Sequence, residues 1–386
     1  MADNASLGAA KSAKKDEFYT QYTDIEAEMN AYVEYDADVF RGKTILLPCD
    51  DPEWSNFTKY FAANFDRFGL KKLISTSYAK SAGNEQLTLF EQESPLYDED
   101  LHDTRGKLFT LTHDTNGSGS IDTDDIEFSG YLNGDGDFRS PEVCKLRDEA
   151  DIIITNPPFS LFSEFLSWIM EAGKKFVIIG NQNAISYRDV FPLIKENKIW
   201  LGQGFKSNVG YFHAPLYDDY ATAGQHKEGF IRVSGVMWFT NLDHGIRHET
   251  MELATMAHNL KYNKKLRKKL ESEYGTTTYP RYDNYDALEI PYSECIPSDY
   301  DGIMGVPRTF LCRYNPDQFE IIGRDGDIEW AESMGNFFTP PPTDVRAKYK
   351  KMNQTWRVQN SYVVQDGEPK TIYARIFIRA KKAVKK

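Results

Sequence analysis

Cysteine is scarce in this chain: Cys49, Cys144, Cys295 and Cys312 are scattered over 386 residues, with no Cys-x-x-Cys pair and no histidine spacing for zinc. That argues against a disulfide framework and a zinc module, and fits a reducing cytoplasm. No apolar run approaches the ~18 residues a membrane span needs. The opening stretch, residues 1–15, is small and polar; it lacks the apolar core of a secretory signal and reads as a frayed arm. Aromatic residues are not lacking. With 23 Tyr, 24 Phe and 6 Trp the chain is too aromatic to be mainly disordered, and it is long enough for one large domain or two of ordinary size. Overall positive charge is missing too, since the net charge is −12. Its position matters more than its sum. Residues 91–151 hold 17 acids against 5 bases, whereas residues 341–386 hold 12 bases against 3 acids. A phosphate-binding surface towards the C-terminal end is therefore compatible with an acidic total.

Short apolar strands alternate with helical stretches through the first 245 residues. Residues 44–47 (Thr-Ile-Leu-Leu) run into Pro48-Cys49-Asp50-Asp51-Pro52; residues 55–68 are aromatic and helical; residues 70–78 read as a second strand. Residues 152–154, three isoleucines, lead into Asn156-Pro157-Pro158-Phe159, an amphipathic helix spans 163–172, and Lys175–Gly180 is another buried strand. A helix is expected near residues 23–35, capped by Thr23 or Asp24. This alternation predicts an α/β fold with a doubly wound, largely parallel sheet, whose ligands sit at the carboxyl ends of the strands. Both proline-rich strand exits fall there. Residues 91–140, rich in Asp, Gly, Ser and Thr, read as an acidic insertion, an inserted loop or hairpin. Beyond about residue 245 the pattern changes to a Lys-rich run (Lys261, Lys264, Lys265, Arg267, Lys268, Lys269), a Tyr-, Pro- and Asp-rich region without periodicity, and a strand over 371–378.

Asn156-Pro157-Pro158-Phe159 is the sharpest chemical signal. Two prolines after a buried strand fix the backbone and remove two donors, leaving carbonyls free to face a cleft. The Asn156 amide oxygen and the Pro157 carbonyl can accept the two N–H bonds of an exocyclic amine while Phe159 stacks on its ring. Drawing both hydrogens out of the ring plane pushes the nitrogen towards sp³ and frees its lone pair. A simple Asn-Pro turn is the ordinary alternative, but its place between an isoleucine strand and a helix favours the chemical reading.

At these residues the chain resembles amino-group DNA methyltransferases, whose motif is [Asn/Asp/Ser]-Pro-Pro-[Phe/Tyr/Trp]. It is more closely similar to the EcoRI-type adenine-specific DNA methyltransferase family. That resemblance rests on Asp16-Glu17-Phe18-Tyr19-Thr20-Gln21, Cys49-Asp50-Asp51-Pro52 with Ser55-Asn56-Phe57, Gly136-Asp137-Phe138-Arg139-Ser140 and Thr155–Ser160. It continues through Ile178–Asn181, Lys198–Gly202, Gly305–Pro307 and Phe319–Gly323, in family order along nearly the whole chain. The resemblance implies a Rossmann-like methyltransferase domain over 16–245, carrying the insertion at 91–140, and a DNA target-recognition module over 246–386. It also implies S-adenosylmethionine as donor, adenine N6 of a flipped-out base in double-stranded DNA as acceptor, and transfer by direct in-line displacement. Asn156, Pro157, Pro158 and Phe159 would form the acceptor site. Phe18, Tyr19 and Thr20 would lie beside the methionine part of the donor, Asp50 and Asp51 would meet its cationic or hydroxyl groups, and Asp137 and Phe138 its adenine. A cytoplasmic bacterial or phage-type setting follows, with no membrane and no obligate protein partner. Two departures stand out: Pro-Cys-Asp-Asp-Pro replaces the expected Gly-rich turn, and Thr76-Ser77-Tyr78 offers no acid for the ribose.

The same tetrapeptide would also serve a methyltransferase acting on RNA or on a protein glutamine. A different rival is a calcium-stabilised binding protein without catalysis. Asp114, Asn116, Ser118 and Asp122 stand at calcium-loop positions with Gly119 at the sixth, although Asp125 replaces the usual Glu and the flanks are not two clean helices. A solvated acidic hairpin is the plainer reading, and no metal is expected. His244 and His248 read as a surface pair, and the Lys261–Lys269 run as a solvated helix face or a phosphate contact.

Overall fold

The computed structural model describes residues 19–50, 55–79, 98, 100–101, 104–205, 209–213, 230–352, 360–365, 368–372 and 374–381. These divide into two compact units. One runs to Phe191 and includes Ile199–Gly245; the other comprises Pro192–Lys198 and the chain from Ile246 onward.

Among the described residues the first unit is built on eleven strands: β1 (Tyr19–Thr20), β2 (Thr44–Leu47), β3 (Lys72–Thr76), β4 (Lys107–Leu111), β5 (Glu127–Tyr131), β6 (Ile152–Thr155), β7 (Lys175–Asn181), β8 (Trp200–Leu201), β9 (Val209–His213), β10 (Phe230–Ser234) and β11 (Val236–Thr240). Eight form the central sheet in the order β5-β4-β3-β2-β6-β7-β11-β8, and β1-β9-β10 form a small second sheet. The four central strands, β3-β2-β6-β7, are parallel. Strands β2 and β6 are buried throughout, as expected of parallel strands covered on both faces. Helices α1 (Tyr22–Tyr35), α2 (Asn56–Ala63), α3 (Phe65–Phe68), α4 (Pro141–Glu149) and α5 (Phe162–Glu171) follow in the chain. Chain order places β3 on one side of β2 and β7 on the far side of β6. The sheet therefore switches direction between β2 and β6, and the crevice outside their carboxyl ends is where such sheets bind ligands.

Both margins of this sheet are antiparallel: β4 to β3 and β5 to β4 on one side, β11 to β7 and β8 to β11 on the other. Within the stretch read as an acidic insertion, β4 and β5 thus pair as an antiparallel hairpin that extends the sheet. In β4 buried and half-buried residues alternate, the pattern of an edge with one wetter face. The first helix begins one residue before Thr23 and two before Asp24, and its N-cap is Gln21, without a side-chain cap bond. The physical reason is pairing upstream: Tyr19 and Thr20 pair with His213 and Phe212, and the Gln21 amide donates to the Tyr211 carbonyl at 2.8 Å. His244 is not at the surface. It is buried, with Nε2 3.0 Å from the Leu201 carbonyl oxygen.

In the second unit, β12 (Leu288–Glu289), β13 (Met304–Pro307), β14 (Phe319–Arg324) and β17 (Arg375–Ala380) form a sheet in the order β12-β13-β17-β14; β15 (Tyr362–Gln365) and β16 (Glu368–Thr371) form a hairpin. The segment expected as one strand over 371–378 is therefore divided between β16 and β17. Helices α6 (Met256–Tyr262) and α7 (Lys264–Tyr274) precede the sheet. Its core holds a buried ion pair: Arg375 donates through Nη2 to Glu289 Oε1 at 2.6 Å and through Nε to Oε2 at 3.0 Å, and Tyr274 Oη donates to Oε1 at 2.9 Å. Such a pair is tolerable only with its hydrogen bonds filled, and it pins β12 to β17. Among the described residues no helix is long and apolar enough to cross a membrane.

Candidate active site

Strand β6 ends at Thr155 because Pro157 and Pro158 cannot donate to a ladder. The chain leaves through Asn156 and re-enters order as a single 3₁₀ turn, Phe159–Leu161, before α5. Pro157 is buried; Asn156, Pro158 and Phe159 are half-buried, and Phe159 packs against the main aromatic core. All four motif residues thus sit at the carboxyl end of β6, at the switch point.

Asp50 closes β2 beside them, 6% exposed. Its carboxylate is held within the chain: Oδ1 accepts from Ser55 Oγ at 2.7 Å and Oδ2 from Thr155 Oγ1 at 2.6 Å. Ser55 is also the N-cap of α2, accepting from Phe57 N at 3.1 Å. Asn56 donates through Nδ2 to the Thr20 carbonyl at 2.8 Å, so the end of β1 is drawn to the same helix N-terminus. Tyr19 is placed by its backbone pairing with His213. Phe18 and Asp51 lie outside the described residues. The chain brings Thr20, Asp50 and Asn156 to one end of the sheet.

The Gly136 turn reaches that end from the β5–α4 connection. Gly136 has φ +87°, and a Cβ there would lie 2.3 Å from the Ser77 carbonyl oxygen, so only glycine allows this approach to the exit of β3. Asp137 is fixed by Arg139, which donates through Nε at 2.9 Å and Nη2 at 2.6 Å; these bonds hold the Asp137 carboxyl below the usual carboxylate range. Phe138 is 5% exposed and enclosed edge-on by Phe165 and Trp168, with ring centroids at 5.0 and 5.6 Å. Its ring packs the base of the turn. Sequence reasoning gave no role to Ser55, Asn56 or Thr155, although a Ser-Asn pair ahead of an aromatic helix is a recognisable cap signal.

Thr20 Oγ1 and Thr76 Oγ1, at the ends of β1 and β3, are buried and have no hydrogen-bond partner among the described residues. Buried hydroxyls are ordinarily satisfied, so this pair suits a polar ligand. The calcium-like loop is closed on itself: Asp114 accepts from the N–H groups of Gly117 at 2.6 Å and Gly119 at 2.8 Å, and Asp125 from those of Thr115 at 2.8 Å and Asp122 at 3.0 Å. Among the described residues no group of three or more His, Cys, Asp or Glu is arranged to hold a metal ion.

Comparison with known proteins agrees with this geometry. The sequence profile of the adenine-specific methyltransferase EcoRI family matches residues 6–381. The chain is 42% identical over 325 residues to the Type II methyltransferase M.EcoRI of Escherichia coli, covering 83% of this chain and 89% of that protein. It is 33% identical over 318 residues to M.MpnI of Mycoplasma pneumoniae (81% and 83% covered) and 33% over 321 residues to M.MgeORF184P of Mycoplasma genitalium (81% and 84%). No solved structure matches the chain. An Asn-Pro-Pro-Phe exit at the switch point of a doubly wound sheet and a match along nearly the full length lead to one conclusion: the chain belongs to the EcoRI family of adenine-specific methyltransferases.

Proposed function

We propose that this adenine-specific DNA methyltransferase transfers the methyl group of S-adenosylmethionine to N6 of an adenine flipped out of duplex DNA. The observation that carries the reading is the place of Asn156–Phe159, at the strand exit next to Asp50 in the crevice between β2 and β6. Asn156 Oδ1 and the Pro157 carbonyl accept from the target amine, and Phe159 stacks on the base. The flipped base is required because a stacked one cannot enter such a site. When bound, the donor supplies an electrophilic methyl on its sulfonium. Thr20 and Thr76 offer their hydroxyls to it, and Asp137 lies at the neighbouring turn. The resemblance adds Phe18, Tyr19 and Asp51. No acid, base or nucleophile of the chain forms a covalent bond in a direct displacement, so positioning and electrostatics carry the rate. The second unit serves as the target-recognition module.

The test is transfer of labelled methyl from S-adenosylmethionine to duplex DNA, RNA and protein in parallel, with N6-methyladenine identified in the product. Label in DNA adenine supports the reading; label confined to RNA or to glutamine overturns it.

A further inference from the structure

We infer that Asp50 and Thr155 are a positioning pair that sets the acceptor residue Asn156 against the donor side of the crevice. The inference rests on the methyl-transfer reading above and adds two residues to it.

Backbone pairing between β2 and β6 runs through Ile45–Ile152 and Leu46–Ile153. Two residues beyond Ile153 and four beyond Leu46, the bond from Thr155 Oγ1 to Asp50 Oδ2, at 2.6 Å, continues the link between the two strand ends. Thr155 is fully buried and its main chain is in register with Ile178 of β7 on the other side, so Asn156 emerges from a residue held from both flanks. Asp50 is itself immobilised. Its N–H donates to the Thr76 carbonyl at 3.0 Å, and its own carbonyl accepts from Thr58 Oγ1 at 3.2 Å and from Ser75 Oγ. Its second carboxylate oxygen holds Ser55, the cap of α2. One buried carboxylate therefore joins β2, β6 and α2, and its backbone adds β3. A hydroxyl bonded to a carboxylate is among the stronger hydrogen bonds. An acceptor amide must be placed to within a fraction of an ångström for in-line transfer, and this bond fixes the residue next to it.

Thr155→Val keeps the shape and removes the hydroxyl. It is expected to lower kcat on duplex DNA from an adenine-methylation-deficient host by about tenfold, with the Kd for S-adenosylmethionine, read by calorimetry, within about twofold of wild type. Thr155→Ser should recover most of the rate. Asp50→Asn should also lower kcat, and the double variant should fall no further than the worse single one, the non-additivity of a coupled pair. Retained donor affinity shows that each variant is folded. Normal kcat in Thr155→Val overturns the inference, as does loss of donor affinity in proportion to kcat. A direct donor contact by Asp50 would give lost affinity in Asp50→Asn and an unaffected Thr155→Val, which also overturns it. A wild-type protein that transfers no methyl to DNA overturns the functional reading and this inference together. Wild-type transfer with an unaffected Thr155→Val overturns the inference alone.

Discussion

Asn156 and Phe159 stand in one turn yet, in the proposed reading, answer to different partners, the first to the amine and the second to the face of the base. Asn156→Ala removes an acceptor for the amine only. Methyl transfer is expected to fall by about a hundredfold or more, while the Kd for S-adenosylmethionine in calorimetry stays close to wild type; near-normal turnover would displace the active site. Phe159→Ala should weaken capture of the flipped base more than duplex binding. Base–aromatic stacking is worth ~1–3 kcal/mol, so a loss of about tenfold or more is expected in the signal of a fluorescent base analogue. A variant that flips the analogue normally would remove that role. The motif was legible because prolines and an isoleucine run leave local marks. The Asp50–Thr155 bond was not, since it joins residues 105 apart and a hydroxyl–carboxylate pair has no periodicity. Phe138 illustrates the same limit: its edge-on packing against Phe165 and Trp168 depends on where α5 lands, which no local pattern announces.

Among the elements, α1 carries a buried carboxylate in an otherwise apolar stripe of Ile25, Met29 and Tyr32. Glu28 accepts from Gln203 N at 2.6 Å, from Gly204 N and from Tyr32 Oη, and a Cβ on Gly202 would overlap its Oε1. Burial pushes its carboxyl up from 4.5 to about 7, against the downward pull of those bonds. Because the folded value lies above the unfolded one, the contribution to stability is full below about 4.5 and is lost as pH rises through about 7. Thermal melts at pH 5 and pH 8 should therefore show wild type losing stability relative to Glu28→Gln as pH rises; parallel pH dependences would refute the burial argument. The central strands were readable as continuous apolar runs. Strand β4 alternates and β8 has two residues, so both gain their identity from neighbours in the sheet. The start of α1 escapes the sequence for the same reason: pairing of β1 with β9, distant along the chain, decides where the helix begins.

On the scale of the whole molecule, charge divides between the two parts of the chain. Residues 1–245 carry 39 acids and 23 bases, and residues 246–386 carry 19 acids and 23 bases. An acidic sheet domain repels a phosphate backbone at long range, so net charge favours the second unit as the source of attraction in the proposed reading. Within it, α7 buries Leu266, Leu270 and Tyr274 and exposes Lys264, Lys265, Arg267 and Lys268. Lys265 is paired with Glu294 at 3.1 Å and Arg267 donates to the Lys261 carbonyl at 2.7 Å, which leaves Lys264 and Lys268 as the better phosphate ligands. Lys381 donates to the Pro316 carbonyl at 2.6 Å; Lys382, Lys385 and Lys386 lie outside the described residues. Replacing Lys264 and Lys268 with alanine should weaken DNA binding evenly across sequences, since bonds to phosphate carry no base information. The slope of log K against log salt should become shallower by roughly 0.9 for each phosphate that is no longer neutralised. Removing residues 382–386 tests the tail in the same way. Affinities at several salt concentrations separate the two surfaces: a slope changed only by the tail deletion assigns phosphate binding there, and a slope changed by neither places the duplex against other residues of the chain.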